Sequence, residues 1–204
     1  MARVDALEAA SRAIVNLLED AFRDSPSAPS SPPTFGVDVS IGLLDGVESS
    51  DRPRPSVDVF PHRIALNGDR SYPAGATNTR RPPRLAVDIH VLILISANEA
   101  ATRLQIAGRL MRKLRDHPML PAGLLNRDRP GAFDLDETVE VVFEDLSHEE
   151  LLHTREVLGV PDHDRMLLPY VLPGIFIESD LDVEEEHDVR ERLIRYGTLQ
   201  GQRT

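Results

Sequence analysis

The most informative segment of the sequence is RLAVDIHVLILI, residues 84–95, followed after a short polar break by EAATRLQIAGRLMRKLRDHPML, residues 99–120. The first block is a nearly continuous apolar and β-branched run, which is typical of a strand buried on both faces. The second block has helical spacing and stops before Pro118, so it predicts an amphipathic helix from Asn98, its expected N-cap, to Arg115. The residues expected on its core face are Ala100, Leu104, Ala107, Met111 and Leu114. Neither block carries a pattern of catalytic residues, so the pair favours an assembly protein over an enzyme.

On the N-terminal side, the pattern predicts one helix and two further strands. Apolar spacing predicts a helix over residues 2–23, which ends at a Pro- and Ser-rich linker over residues 24–33. Alternating apolar residues predict strands over residues 35–44 and 57–66. Pro61 cannot donate a hydrogen bond to a neighbouring strand, so we expect an edge position or a bend there.

On the C-terminal side, residues 121–136 are predicted to form a loop and residues 138–144 a strand. Ser147 and Glu150 have the spacing of a capping box, which predicts the start of a short helix. Residues 166–177 are apolar but interrupted by two prolines. We interpret them as a strand at the sheet edge or an irregular arm.

Together these elements predict an α/β (α+β) fold, with a single mixed β-sheet, helices packed on it and an extended C-terminal arm. Residues 1–179 are expected to form one domain and residues 180–204 a C-terminal tail.

Composition excludes several classes of function. The net charge is −11 and the sequence pI is about 5.1, which disfavours binding to nucleic acid phosphates. The chain has no cysteine, so disulfides, thiolate catalysis and Cys-based zinc sites are excluded. Acidic residues interrupt the N-terminal apolar pattern, and no window approaches the roughly 18 apolar residues of a membrane span. We therefore expect a soluble protein with no direct membrane insertion.

The sequence offers only weak candidates for chemistry. HEELLH, residues 148–153, has one residue more than the HExxH zinc motif, which separates His148 and His153 by about 140° on a helix. Residues 162–164, DHD, follow a proline in an expected turn, where such residues are common. GxSxG, P-loop and GxGxxG motifs are absent from the sequence. We expect no catalytic residues, cofactor or metal, and a small metal-dependent hydrolase is the least favoured alternative.

Asp88 and His90 lie two apart in the central strand and hence on one face of it. They could act as an acid/base pair. The favoured interpretation is a buried pair whose members satisfy each other, or a place where the sheet meets another subunit, because no third catalytic partner lies nearby in the sequence.

Two clusters of opposite charge suggest contacts between subunits. A basic cluster precedes the central strand, and an acidic run occupies residues 180–188. A basic loop and an acidic tail on one chain are suited to a head-to-tail ring. Aromatic residues of the segment 166–177 are further candidates, because such an arm could complete a neighbour's sheet. The candidate interface residues are Arg80, Arg81, Arg84, Tyr170, Phe176, Glu184, Glu185 and Glu186.

Three blocks of the sequence resemble one protein family. PPRLAVDIHVLILIS, residues 82–96, is similar to the PLALDLHYLLT-type strand of the cap proteins, or tail terminators, of phage-tail-like contractile injection systems. LQIAGRLMRKLRDHPML, residues 104–120, resembles the helix that follows in that family, with its LLGxAM core and DxPxL ending. VVFEDLSHEELLHTREVLGV, residues 141–160, and PYVLPGIFIES, residues 169–179, resemble the third block. The family's Trp near the end of that block's helix is absent here.

The resemblance implies a non-enzymatic structural cap. Such a cap forms a six-fold ring at the end of the inner tube and sheath distal to the baseplate, where it ends polymerisation and couples sheath to tube. The implied partners are further copies of the chain in a hexamer, the sheath protein and the inner tube protein. The implied location is the cytoplasm during assembly, within a particle that can be released from the cell. The alternative is a tube-end or head-joining adaptor of a phage-like tail.

Overall fold

The structure, a computed structural model, describes residues 5–23, 36–42, 54–68, 84–157 and 165–178. The helices within these ranges are α1 (Ala6–Arg23), α2 (Ala100–Asp116), α3 (Ala122–Leu125) and α4 (His148–Val157). The strands are β1 (Asp38–Ile41), β2 (Ser56–Leu66), β3 (Arg84–Ser96), β4 (Met119–Pro121), β5 (Thr138–Glu140), β6 (Val142–Phe143) and β7 (Arg165–Glu178).

Five of these strands form a mixed sheet in the order β1-β2-β3-β7-β6. β1 and β2 are parallel, whereas the other neighbours in this sheet are antiparallel. The apolar segment that forms β3 is the central strand, as its sequence predicts. The predicted fold class, α+β with a mixed sheet, is confirmed. The prediction of a single sheet is wrong, because β4 and β5 pair in a separate two-stranded sheet.

The alternation of side chains along β3 gives the sheet two different faces. Odd-numbered residues such as Ile89 and Ile93 join one large core with Ile14 of α1 and Leu110 of α2. We call this side the α1/α2 face. Even-numbered residues point to the other side, where Leu92 and its neighbours contact α4. We call that side the α4 face.

Polar contacts fasten α1 to the turn that follows α3. The Arg129 guanidinium donates to both carboxylate oxygens of Glu8 at 2.9 Å, and Arg129 and Arg12 together lower the pKa of Glu8. The Asn16 amide donates to Asp128 at 2.7 Å. These contacts bridge more than a hundred residues of sequence and join α1 to the turn after α3.

The start and the core face of α2 differ from the prediction. The helix begins at Ala100, with Glu99 as its N-cap residue and no side-chain hydrogen bond to the first turn, so the predicted Asn98 cap is wrong. Leu104 is 61% exposed and Met111 is 44% exposed, although both were expected in the core. The residues that α2 buries are Thr102, Ile106, Ala107, Leu110 and Leu114. The helix therefore packs through a stripe rotated from the predicted one, and leaves apolar side chains in solvent.

The predicted irregularity at Pro61 is confirmed. The register between β2 and β3 shifts between Pro61 and Arg63. The parallel pairing with β1 covers only Ser56 to Val59, so the missing N–H of Pro61 lies beyond it. The start of β2 is therefore flanked by strands on both sides. In its second half, no strand among the described residues pairs with β2 on the side of β1.

Residues 138–144 were predicted as one strand, and that prediction is wrong. β5 pairs with β4, whereas β6 pairs with β7 in the main sheet. The predicted loop over 121–136 also contains α3 and begins with the last residue of β4. The alternation of apolar residues could not reveal the change from one sheet to the other. Val139 of β5 and Val141, just before β6, are both buried, so the apolar pattern continues through the change.

Residues 166–177 belong to β7 rather than to an irregular or extended arm. β7 pairs with β3 from Arg165 to Glu178, and Pro173 lies at a register irregularity opposite Asp88. There Gly174 has φ +71°, a backbone conformation that costs a residue with a Cβ more than it costs glycine. Pro173 lies in this bulge, and the carbonyl of Pro169 accepts a hydrogen bond from the Glu144 backbone N–H at 3.0 Å.

Candidate interface surfaces

Arg84 begins β3 and is held by its own chain. Its guanidinium donates a short hydrogen bond to Glu178, its cross-strand partner in β7, and lies over the Phe176 ring with the guanidinium carbon 5.9 Å from the ring centroid. Glu178 is only 10% exposed and Arg84 27% exposed at the side chain. The structure thus brings two predicted interface residues, Arg84 and Phe176, together at one end of the sheet.

Tyr170 lies in the middle of β7 and contributes to the core. It is 5% exposed, and burial raises the pKa of its phenol. Its ring meets Phe143 of β6 edge-to-face, with centroids 5.4 Å apart. Tyr170 itself therefore presents little surface, whereas Phe143 in front of it is 48% exposed.

The remaining candidates, Arg80, Arg81, Glu184, Glu185 and Glu186, lie outside the described residues. The division into a domain over 1–179 and a tail over 180–204 also involves residues outside them. Residues 162–164, the weak candidate for a metal site, also lie outside the described residues. Their roles stay predictions.

Asp88 and His90 share the α4 face, as their spacing predicts, but they do not satisfy each other. The Asp88 carboxylate accepts from the Gly174 backbone N–H at 2.7 Å and from the Asn67 amide at 3.0 Å. This carboxylate therefore ties the end of β2 to the bulge of β7 through β3. Its role is to hold the backbone in place, because both of its oxygens already accept hydrogen bonds.

His90 instead pairs with Glu144, which follows β6. Its Nδ1 lies 2.8 Å from Glu144 Oε1, and the His62 ring meets the His90 ring edge-to-face at 6.2 Å between centroids. Burial lowers the pKa of His62. The electrostatic interaction with Glu144 opposes that effect, and the interactions with His90 and Arg63 add to it. No local pattern indicates this cluster, because Glu144 is 54 residues from His90.

The capping box predicted for α4 is confirmed. Ser147 Oγ accepts from the Glu150 N–H at 3.2 Å, and the Glu150 carboxylate accepts from the Ser147 N–H at 2.9 Å. These bonds lower the pKa of Glu150. His148 and His153 are both exposed, and among the described residues no three His, Cys, Asp or Glu side chains are grouped to hold a metal ion.

α4 contacts the sheet lightly. No residue of α4 is fully buried, and Leu151 packs against the small cluster of Leu92, Leu94 and Leu167. Leu152 and Val157 are 45% and 69% exposed. Among the described residues, no helix has both the length and the apolar character needed to cross a membrane.

These features define an α+β domain whose distinctive parts are exposed helix surfaces and strand edges. The chain belongs to the Pvc16 N-terminal domain family, whose model matches residues 9–191. The predicted relation to cap and terminator proteins is thereby confirmed at the level of the family.

Two solved structures share the fold. One is the PVC sheath/tube terminator of an extracellular contractile injection system in the extended state, with a TM-score of 0.50 and 18% identity over 93% of this chain. The other is the tube-terminating cap of the anti-feeding prophage, with a TM-score of 0.51 and 12% identity over 89% of this chain. This chain spans 63% and 59% of their respective lengths. No curated protein matches the sequence significantly.

Proposed function

We propose that this chain is a structural cap of a contractile injection system. It forms a ring at the end of the inner tube and sheath distal to the baseplate, stops polymerisation there and couples sheath to tube. The observation that carries this proposal is membership of the Pvc16 N-terminal domain family, together with the fold shared with a sheath/tube terminator and a tube-terminating cap.

The role is non-enzymatic, and its partners are further copies of the chain, the sheath protein and the tube protein. The polar groups on the α4 face support this view, since Asp88 and His90 are engaged with backbone, Asn67 and Glu144 rather than directed at a shared substrate position. Assembly takes place in the cytoplasm, and the finished particle can be released.

The surfaces available for assembly differ from those expected of a free arm. β7 pairs with β3 along its length, so residues 166–177 cannot leave the sheet without breaking it. On its other side, β6 pairs only with Tyr170 and Val171. The rest of that edge, where no described strand pairs, is suited to accept an extended segment from a sheath or tube subunit.

The test is negative-stain microscopy of the chain co-expressed with its sheath and tube proteins. We expect density at the tube end distal to the baseplate and tubes of uniform length. A chain that never associates with tubes would overturn the proposal. Density between a tube and a head-like shell would instead support the joining adaptor.

The charged tail is tested separately by deleting residues 180–204. We expect weaker binding to sheath or tube and less uniform particles, because the acidic residues Glu184, Glu185 and Glu186 are proposed to meet a basic neighbour. Glu140→Gln, an exposed change on β5, is the matched control for loss of negative charge. Unchanged particle length and stability in the deletion variant would contradict this role.

A further inference from the structure

α2 exposes an apolar stripe on the side turned away from the sheet. Leu104 and Met111 are 61% and 44% exposed and lie seven residues apart, which is close to two helical turns. Ala101 and Gly108 lie beside them on the same exposed side. A stripe of this kind on an otherwise well-packed helix indicates a surface that a partner covers.

Gly108 is a second sign that something approaches this helix closely. It lies in the middle of α2, where glycine is a weaker helix former than alanine. A Cβ built on Gly108 would meet no atom within 4 Å, so packing inside the chain does not require glycine there. A partner whose side chains approach the α2 backbone would explain the absent side chain.

The exposed side of α2 also has a basic rim. Arg112 and Arg115 are exposed near the C-terminal end of the helix, on the same side as the apolar stripe. This is a local concentration of positive charge in a chain of net charge −11. A complementary partner should therefore combine exposed apolar side chains with carboxylates.

The exposed side of α4 has those properties. Leu152 is 45% exposed, and Glu149 and Glu156 are exposed about one turn before and after it. Glu149, Leu152, His153 and Glu156 follow the spacing of a single helix face. The opposite side of α4, through Leu151, contacts the sheet.

The two helix surfaces belong to opposite sides of the molecule. α2 buries Ile106 and Leu110 in the core of the α1/α2 face, whereas Leu151 of α4 contacts Leu92 and Leu94 on the other face. One chain therefore cannot bring its own two surfaces together. Two different, complementary surfaces on opposite sides generate a head-to-tail contact, which closes into a ring when the rotation allows.

We propose that the exposed side of α2 in one copy packs against the exposed side of α4 in the next copy, and that this contact builds the ring. Leu104 and Met111 meet Leu152 at its centre. Arg112 and Arg115 pair with Glu149 and Glu156 at its rim. The existence of a ring rests on the proposed function, and this inference adds which two surfaces join neighbouring copies in that ring.

Disulfide trapping tests the contact directly, because the chain has no cysteine of its own. The variant Leu104→Cys with Leu152→Cys should give, on mild oxidation of the full chain, a ladder of multimers joined between copies. A disulfide forms only when the two Cβ atoms come within about 4.5 Å, so the ladder reports contact rather than proximity. Leu104→Cys with Leu135→Cys is the control, since Leu135 is 95% exposed on a loop outside both helices. A ladder no stronger than that of the control would overturn the proposal.

Charge reversal gives an independent test. Arg112→Glu with Arg115→Glu makes both surfaces negative, and Glu149→Arg with Glu156→Arg makes both positive. Each variant alone should lose ring formation at least about tenfold in mass photometry, because like charges then face each other. Mixing the two variants should restore rings, since every contact then joins opposite charges. Glu140→Arg, on β5, controls for a change in net charge. Wild-type assembly of both reversed variants, or failure of the mixture, would overturn the proposal.

Gly108→Gln separates assembly from folding. Glutamine is a better helix former than glycine and faces open space, so the urea midpoint of the variant should not fall. The ring should nevertheless weaken, because the new side chain occupies the contact. Gly123→Gln in α3, another exposed helical glycine with nothing within 4 Å, should leave the ring unchanged. An intact ring in Gly108→Gln would contradict a close approach at α2.

The trapping and charge-reversal experiments test the α2–α4 contact, whereas the microscopy of tube ends tests the cap function, so either hypothesis can be rejected without the other. Trapped rings without density at tube ends would uphold the α2–α4 contact and reject the cap function. Density at tube ends with no trapping, measured in the same assembled particles, would uphold the cap and reject this contact.

Discussion

The two faces of the sheet are built on different principles. On the α1/α2 face, Ile14, Leu18, Ile89 and Ile93 are all at most 1% exposed and belong to one continuous apolar core. On the α4 face, the apolar cluster is small and lies beside polar groups, including the Asp88 carboxylate. Both faces belong to the same strands, so the difference comes from what covers them.

This contrast separates stability from recognition. Dry apolar burial on the α1/α2 face supplies the main driving force for folding. The α4 face instead fixes backbone positions by directed hydrogen bonds, and α4 is left with an exposed surface. The proposed function needs both properties, because a ring subunit must fold before it meets a neighbour and must still present a surface to it.

The largest effect is expected from Ile93→Ala. Ile93 is fully buried among α1, α2 and the sheet, so the substitution should lower the free energy of unfolding by about 2–5 kcal/mol through lost transfer energy and a cavity. Urea unfolding measures it. Leu152→Ala on the exposed side of α4 is the control and should change stability by less than about 0.5 kcal/mol. Equal losses at the two positions would remove the contrast between the faces.

Asp88→Ala should have an intermediate effect. The Gly174 N–H and the Asn67 amide both lose their acceptor, which should cost about 1–3 kcal/mol of unfolding free energy. The same urea experiment measures it. Asp88→Asn keeps one carbonyl acceptor and should cost less. If both variants unfold like the parent chain, the carboxylate does not hold the β7 bulge.

Ser147→Ala should act on α4 alone. The two hydrogen bonds of Ser147 Oγ with Glu150 are lost, and because no residue of α4 is fully buried, we expect amide hydrogen exchange in His148–Val157 to speed up by roughly fivefold. Exchange in β3 should stay unchanged. A uniform acceleration across the chain would show that α4 unfolds only with the whole domain.

The smallest effect concerns pH and His62. Burial lowers the pKa of His62 from its usual 6.5 in the folded chain, so below that pH the unfolded chain binds more protons than the folded one. Stability should therefore rise with pH through the region just below 6.5 and fall on acidification. His62→Asn should flatten this dependence in thermal unfolding measured at several pH values. His148→Asn, at an exposed position, should leave it intact, and an unaltered slope in His62→Asn would contradict the assignment.

Much of the fold follows from local patterns. β3, α1 and the capping box of α4 were predicted from apolar runs, helical spacing and the Ser147–Glu150 pair, which are signals contained within a few residues. The errors have a common cause in tertiary structure. The stripe that α2 buries and the division of residues 138–144 between two sheets both depend on which neighbour each segment meets.

The candidate site was less predictable than the fold. The sequence placed Asp88 and His90 on one face but could not supply their partners, since Gly174 and Glu144 lie 86 and 54 residues away. Leu104 and Met111 were predicted to lie in the core. Helical spacing identifies an apolar face of a helix, but it does not show whether that face is covered by protein or exposed to solvent. The interface roles of Arg80, Arg81 and the acidic tail remain predictions.

Local patterns in the sequence were sufficient to predict the central strand and the helices α1 and α2, because apolar periodicity acts over short distances. The family was indicated by the resemblance of three sequence blocks. Tertiary contacts place β7 inside the sheet, hold Arg84 against Glu178 and leave the exposed sides of α2 and α4 on opposite sides of the molecule. Those outcomes depend on pairings between distant residues, whose free energies are set by the packed fold and leave no local pattern in the sequence.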